Sequence, residues 1–202
     1  MGRKFGFLAA SFHTLHHRWL TPVGRVLAGA GITPNTLTIL GFIANVGAAA
    51  VLGLGHFLGG GLLVLFSGAF DMLDGAVARA SGRVTRFGGF LDSTLDRLSE
   101  AAILFGLFIW YARRDSLQEL VLIYLTLVGS LLVSYTRARA EGLGLECKVG
   151  ILTRAERVIL LAAGLIFGFA LPVLWVLAVL TNFTVVQRIL HVWRRTNRGR
   201  DP

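Results

Sequence analysis

The chain reads as a succession of long apolar runs separated by short polar islands. Runs at 36–55, 60–80, 91–112, 117–138, 152–170 and 172–193 each hold close to the twenty or so residues that an α-helix needs to cross a bilayer core. They are too long and too continuous for the short periodic stretches of a soluble core. The fold expected is therefore all-α and integral to a membrane, with six transmembrane helices. The second and third runs carry aspartates, so their polar ends must face protein or water rather than lipid. Pro172, in the stretch GFALP, is expected to separate the last two helices.

Residues 5–20 follow a different rhythm. Phe5, Leu8, Phe12, Leu15 and Trp19 recur at intervals of three and four, which lines one face of a helix. An amphipathic helix in the headgroup plane is expected there, with Lys4, His16 and Arg18 toward water. His13, His16 and His17 have the spacing of metal ligands, but no carboxylate or cysteine accompanies them. They read as polar-face residues. The same N-terminus lacks an apolar stretch followed by a small-residue cleavage site, so it is not read as a cleaved signal peptide. With no internal repeat, a single domain is expected over 1–202: a lead-in at 1–35, a helix bundle at 36–193 and a basic tail at 194–202.

Composition narrows the partners. A net charge of +9 could serve nucleic acid or an anionic membrane surface, but 54% hydrophobic residues and a mean hydropathy of +0.69 select the membrane. No nucleic-acid partner is expected. The single cysteine, Cys147, cannot form an intramolecular disulfide. Grouping both termini with the 81–90 and 139–151 loops gathers 18 of the 20 Lys and Arg on one side and leaves Arg113 and Arg114 on the other. The positive-inside rule then makes the termini and the aspartate-bearing helix ends cytoplasmic, in a multi-pass protein of the cell membrane.

Chemistry enters with DMLDGAVARASGRVTRFGGFLDSTLDRLSE at 71–100. Asp71 and Asp74 are three apart and Asp92 and Asp96 four apart, so each pair projects from one face of its helix. Ser81, Gly82, Gly88 and Gly89 lie between the pairs and are expected to turn the chain, bringing four carboxylates together. Unpaired, these would repel one another or take up protons. A hard divalent cation such as Mg²⁺ or Mn²⁺ resolves the conflict with oxygen ligands, and no His or Cys cluster nearby offers a zinc site. Two ions would suit phosphoryl chemistry on a diphosphate. Gly75 removes a side chain where a ligand could approach, and Arg79 follows one turn on as a candidate for a phosphate oxygen.

The series Asp71-x2-Asp74-Gly75-x2-Ala78-Arg79-x8-Gly88-x3-Asp92-x3-Asp96 resembles, at all eight fixed positions, the signature of the CDP-alcohol phosphotransferase family of membrane enzymes of phospholipid synthesis. GITPNTLTILG at 31–41 is similar to the segment that opens the first span in that family. The resemblance implies attack of an alcohol hydroxyl on the β-phosphorus of a CDP-linked lipid, with CMP leaving. It implies metal ligation by Asp71, Asp74, Asp92 and Asp96, with Asp96 also the general base. Asp71, Asp74, Gly75, Ala78, Arg79 and Gly88 would bind the CDP group. A homodimer is implied as well.

A second polar island, SYTRARAEGLGLECKVGILTRAERV at 134–158, carries Arg137, Arg139, Lys148, Arg154 and Arg157. Arginine forks suit a phosphate monoester, so the acceptor alcohol is expected to carry a phosphate of its own. The bland alternative is topology-setting residues that touch lipid headgroups. This island resembles the corresponding part of prokaryotic phosphatidylinositol-phosphate synthases and their archaeal counterparts, through Ser134, Tyr135, Arg137, Arg139, Glu141, Glu156 and Arg157. Arg137 stands where the bacterial members often have Lys. That likeness implies an inositol 1-phosphate acceptor, with Ser134, Arg137, Arg139 and Arg157 at its phosphate. Glycerol 3-phosphate is the rival acceptor. A cation transporter is the rival class, but it would want polar residues through the depth of the bilayer, and spans 36–55, 152–170 and 172–193 offer few. A purely structural role leaves four costly aspartates without a reason.

Overall fold

The computed structural model describes residues 22–82 and 84–198. Among them are seven α-helices and no strand: α1 at 22–29, α2 Pro34–Gly53, α3 Phe57–Ser81, α4 Arg86–Ala112, α5 Leu117–Gly142, α6 Arg154–Ile166 and α7 Ala170–Arg198. The amphipathic helix expected at 5–20, with its three histidines, lies outside the described residues. So do the last four residues of the basic tail.

Four helices, α2, α3, α5 and α7, are long and apolar enough to cross a membrane. The other two expected spans fall short for different reasons. α4 has 27 residues, but its first fifteen carry Arg86, Asp92, Asp96, Arg97 and Glu100. α6 has 13 residues, about 20 Å at ~1.5 Å per residue against a hydrocarbon core of ~30 Å. Length and apolarity thus support four spans among the described residues, not the six expected. Large apolar side chains such as Phe105, Tyr124, Val179 and Phe183 stand exposed on the helix surfaces, as a lipid-facing protein requires.

Local chemistry sets the helix ends. Thr33 precedes α2 and accepts a hydrogen bond from Thr36 N at 3.3 Å, while Pro34 occupies the first turn, where its missing N–H costs nothing. α4 begins after Thr85, whose Oγ1 accepts from Gly88 N at 2.9 Å. Gly88 and Gly89 therefore lie in the first turn of a helix and not in the reversal expected of them. The bend that follows α3 is at Gly82, with φ +65°. Between α6 and α7 the break is at Gly168, with φ +76°. Pro172 sits inside the first turn of α7, so the separator is the glycine and the proline is a helix-starting residue.

The chain forms two compact units. One takes residues up to Ala44 with Phe66–Leu98, the other Asn45–Leu65 with Ser99 onward. In the first unit, α1 lies against α3 where Gly24 meets Ala76: a Cβ on Gly24 would come within 2.8 Å of the Ala76 carbonyl oxygen. Gly41 of α2 gives Phe70 of α3 similar access, with a Cβ contact of 3.1 Å. Small residues here let backbones approach closely. The second unit has the larger core, with Leu52, Val64, Leu104, Leu107, Leu165, Leu174 and Leu177 almost fully buried. α5 packs along α7, and Asn182 Nδ2 donates to the Leu125 carbonyl at 3.1 Å. α6 starts in a capping box, Thr153 accepting from Glu156 N while Glu156 Oε2 accepts from Thr153 N at 2.6 Å. The Glu156 carboxylate, part of the Glu-Arg pair noted in the sequence, is thus engaged in starting a helix.

Candidate active site

The carboxylates lie in the first unit. Asp71 and Asp74 occupy the last three turns of α3, and Asp92 and Asp96 the second and third turns of α4. Asp74 is 8% exposed, and its Oδ2 accepts a 2.8 Å hydrogen bond from the Thr38 hydroxyl on α2. That hydroxyl also lies 3.1 Å from the Pro34 carbonyl, so the start of α2 and the end of α3 share one polar contact. Asp71 and Asp92 are near enough to Asp74 for their charges to act on it.

A cavity of about 310 Å³ opens beside this group, lined by Pro34, Asn35 and Thr38 from α2, by Asp74, Gly75, Ala78 and Arg79 from α3, by Val84 and Thr85, and by Gly88, Gly89 and Asp92 from α4. The glycines shape it. A Cβ on Gly88 would press within 3.0 Å of Thr85 Oγ1 and 3.2 Å of Asn35 Oδ1. A Cβ on Gly75 would stand 3.2 Å from Arg79 Nη1, so the space that Gly75 leaves is occupied by the Arg79 guanidinium folded back along the helix. The cavity has carboxyl groups, a guanidinium and bare backbone on its walls, the mixture that suits a nucleotide diphosphate with its counter-ions.

Among the described residues, no three His, Cys, Asp or Glu side chains are gathered into a ready metal cage. The expected convergence is partial: Asp71, Asp74 and Asp92 are electrostatic neighbours, but Asp74 is turned to Thr38. The donor set is nonetheless all oxygen and fits a hard divalent cation that takes part of its shell from water and phosphate. Thr38 and Asn35 were not singled out from the sequence. Their segment, GITPNTLTILG, was the only signal.

In the second unit, Ser134 and Arg137 lie one turn apart on α5, and Arg137 Nε pairs with Glu141 Oε1 at 2.8 Å, both half-exposed. Arg157, expected at the acceptor's phosphate, has a carboxylate partner. It is 3% exposed and locked to Glu100 of α4 through Nε–Oε1 and Nη2–Oε2 contacts of 2.8 Å each. Arg188 of α7, not anticipated, is 7% exposed, donates from Nε to the Val149 carbonyl at 2.9 Å and from Nη1 to the Val133 carbonyl, and has Arg137, Arg157 and Glu141 as charged neighbours. Its signal was available: a lone arginine within an apolar span. Arg139, two residues past Arg137, lies on a different face of α5. In the loop before α6, the Lys148 ammonium bonds the exposed Glu146 carboxylate and holds it below the usual range.

Residues 31–192 match the family model described as CDP-alcohol phosphatidyltransferase. The archaetidylinositol phosphate synthase of Methanothermobacter thermautotrophicus is 40% identical over 190 residues, covering 91% of this chain and 93% of that one. The phosphatidylinositol phosphate synthase of Mycobacteroides abscessus is 43% identical over 187 residues, 88% of this chain and 84% of its own. Among solved structures, the Mycobacterium tuberculosis phosphatidylinositol phosphate synthase with CDP-DAG bound superposes with a TM-score of 0.81 at 39% identity, covering 87% of this chain and 94% of that one. The same enzyme in complex with manganese and citrate gives 0.81 at 40% identity, over 86% and 88%. Signature, cavity and likeness along nearly the whole length agree, and the chain belongs to the CDP-alcohol phosphatidyltransferase family.

Proposed function

We propose that this chain makes a phosphorylated phospholipid: it transfers the lipid phosphate of a CDP-linked lipid such as CDP-diacylglycerol to the hydroxyl of inositol 1-phosphate and releases CMP. The observation that carries the reading is that one cavity is lined by six of the signature residues, Asp74, Gly75, Ala78, Arg79, Gly88 and Asp92. The names of the relatives, archaetidylinositol phosphate synthase and phosphatidylinositol phosphate synthase, support an inositol phosphate as the acceptor.

Each residue has a task in this reading. Gly75, Ala78 and Gly88 keep the walls low enough for the nucleotide to approach the backbone, and Arg79 meets a phosphate oxygen. Asp71, Asp74, Asp92 and Asp96 would hold two Mg²⁺ or Mn²⁺ ions, which neutralise the diphosphate and stabilise charge on the entering and leaving oxygens when bound. Thr38 fixes the orientation of Asp74. Asp96 takes the proton of the acceptor hydroxyl as its oxygen bonds to the β-phosphorus and the bridging oxygen departs with CMP. Ser134, Arg137 and Arg157, with Arg188 beside them, receive the acceptor's phosphate, and Arg139, on another face of α5, is left outside this group. Arg137 and Arg157 both act on the charge of Arg188, and with Glu141 and Glu100 paired to the first two the group keeps a net positive charge, which supports that assignment.

The reading places both termini and the aspartates at the cytoplasmic face of the cell membrane, with α4 as a fifth crossing and the short α6 completing a sixth only together with the segments that flank it. The apolar second half of α4, AAILFGLFIWYA, supports the first of these. A homodimer is proposed from the family likeness. The test is CMP release by the purified chain with CDP-diacylglycerol and Mg²⁺ or Mn²⁺, offered inositol 1-phosphate, glycerol 3-phosphate, free inositol or serine. Release with inositol 1-phosphate alone is expected. Release with glycerol 3-phosphate alone would overturn the acceptor, and no release with any would overturn the reaction.

A further inference from the structure

Glu100 and Arg157 are joined at two points, and a small chamber of about 10 Å³ adjoins them, the size of one water position. Thr126 of α5 forms part of its wall. The Thr126 hydroxyl is buried and has no hydrogen-bond partner among the described residues. Polar groups from α4, α5 and α6 therefore border one chamber whose remaining walls are apolar, Val64 and Leu104 among them. A hydroxyl without a partner in such a place is what a bound water satisfies.

As a device for stability the pair is a poor choice, because burying two charges costs about what their attraction returns, and packed apolar side chains would hold the helices as well. What apolar side chains cannot do is orient a guanidinium. The guanidinium has two hydrogen-bonding edges. Glu100 occupies the Nε and Nη2 edge, so the end of the guanidinium that carries Nη1 stays outside the pair while the planar group is held in one orientation.

We propose that Glu100 is a positioning residue for the acceptor's phosphate monoester, acting through Arg157, with a water held by Thr126 completing the lock. The proposal deepens the reading above and rests on it. It has a sign that distinguishes it from charge alone. Removing a carboxylate from beside an arginine should tighten binding of a dianion if only charge mattered. If orientation matters, binding weakens.

The experiment is steady-state CMP release by the purified full chain with CDP-diacylglycerol, Mn²⁺ and inositol 1-phosphate, comparing wild type with Glu100→Gln and Thr126→Val, alongside thermal unfolding. Expected is a rise of about tenfold in the acceptor KM for Glu100→Gln, the equivalent of one charge-assisted hydrogen bond, with the CDP-lipid KM within about twofold. For Thr126→Val, which leaves the ion pair in place, a rise of about threefold follows from losing one water-mediated contact. An acceptor KM that is unchanged or lower in Glu100→Gln overturns the proposal. So does a parallel shift of both KM values with the unfolding temperature, the mark of a merely structural pair. Should Glu100→Gln fail to fold, Thr126→Val decides by the same criteria. Wild type inactive with every phosphorylated alcohol sinks the functional reading itself, an outcome visible before any variant is compared.

Discussion

Thr38 on α2 donates its hydroxyl hydrogen to Asp74 Oδ2 on α3 at 2.8 Å, and Asp74 is nearly buried. A carboxylate held this way presents its other oxygen in a fixed direction, the service that outer partners perform for metal ligands. Thr38→Val keeps the shape and removes the donor. Its apparent affinity for Mg²⁺ or Mn²⁺ should fall by about tenfold or more, while turnover at saturating metal stays within a few-fold of wild type. Metal titration of CMP release, with direct calorimetric titration of the protein, checks both halves. Unchanged metal affinity would remove Thr38 from the site.

Gly75 and Arg79 give a second prediction. The Cβ introduced by Gly75→Ala would stand 3.2 Å from Arg79 Nη1, and the far end of a flexible side chain can move aside at little cost to folding. The penalty should appear in nucleotide binding, as a rise of about tenfold in the CDP-lipid KM, worth ~1.4 kcal/mol. The unfolding temperature should barely change. Arg79→Lys should show a similar KM defect, because an ammonium cannot reproduce the planar fork. A loss of stability without a KM effect in Gly75→Ala would show that the glycine serves packing.

Asp96 carries the proposed base role, and Asp96→Asn keeps its size while removing its proton affinity. Turnover should fall by about 100-fold or more, the usual range for general-base loss, with the KM for CDP-lipid changed far less. Single-turnover measurements separate the chemical step from product release. Near-normal turnover in this variant would take the base role away from Asp96.

The parts legible in the sequence were those governed by local rules. Long apolar runs fix helix positions through the length of a bilayer crossing, and the aspartate series keeps its spacing because three and four residues return to one helix face. Partners remote in sequence were not legible: Asp74 finds Thr38 at a separation of 36 residues, and Arg157 finds Glu100 at 57. The Glu100 partner of Arg157 was therefore invisible in its local sequence. Gly88 and Gly89 misled because glycine marks turns and close approaches alike, and only the Thr85 cap shows that helix α4 has already begun. Pro172 misled for a related reason, since proline both ends helices and starts them. α4 departs from a plain apolar span where the chemistry sits, because it carries the charges that a site at a membrane face needs.

Gly106 of α4 and Gly47 of α2 offer a paired test of how the second unit is held together. A Cβ on Gly106 would overlap the carbonyl oxygen of Ala49, a backbone atom that cannot swing aside. A Cβ on Gly47 would meet nothing within 4 Å. Helix propensity favours alanine at both positions by up to ~1 kcal/mol, so any difference between the two variants measures the close approach. Gly106→Ala should lower stability by about 1–3 kcal/mol, the usual cost of overpacking, and shift Tm by several degrees, whereas Gly47→Ala should lose nothing. Thermal unfolding in detergent, followed by circular dichroism, reads both. Equal behaviour of the two variants would mean that α2 and α4 do not meet at Ala49 and Gly106, and that the core of this unit is assembled differently.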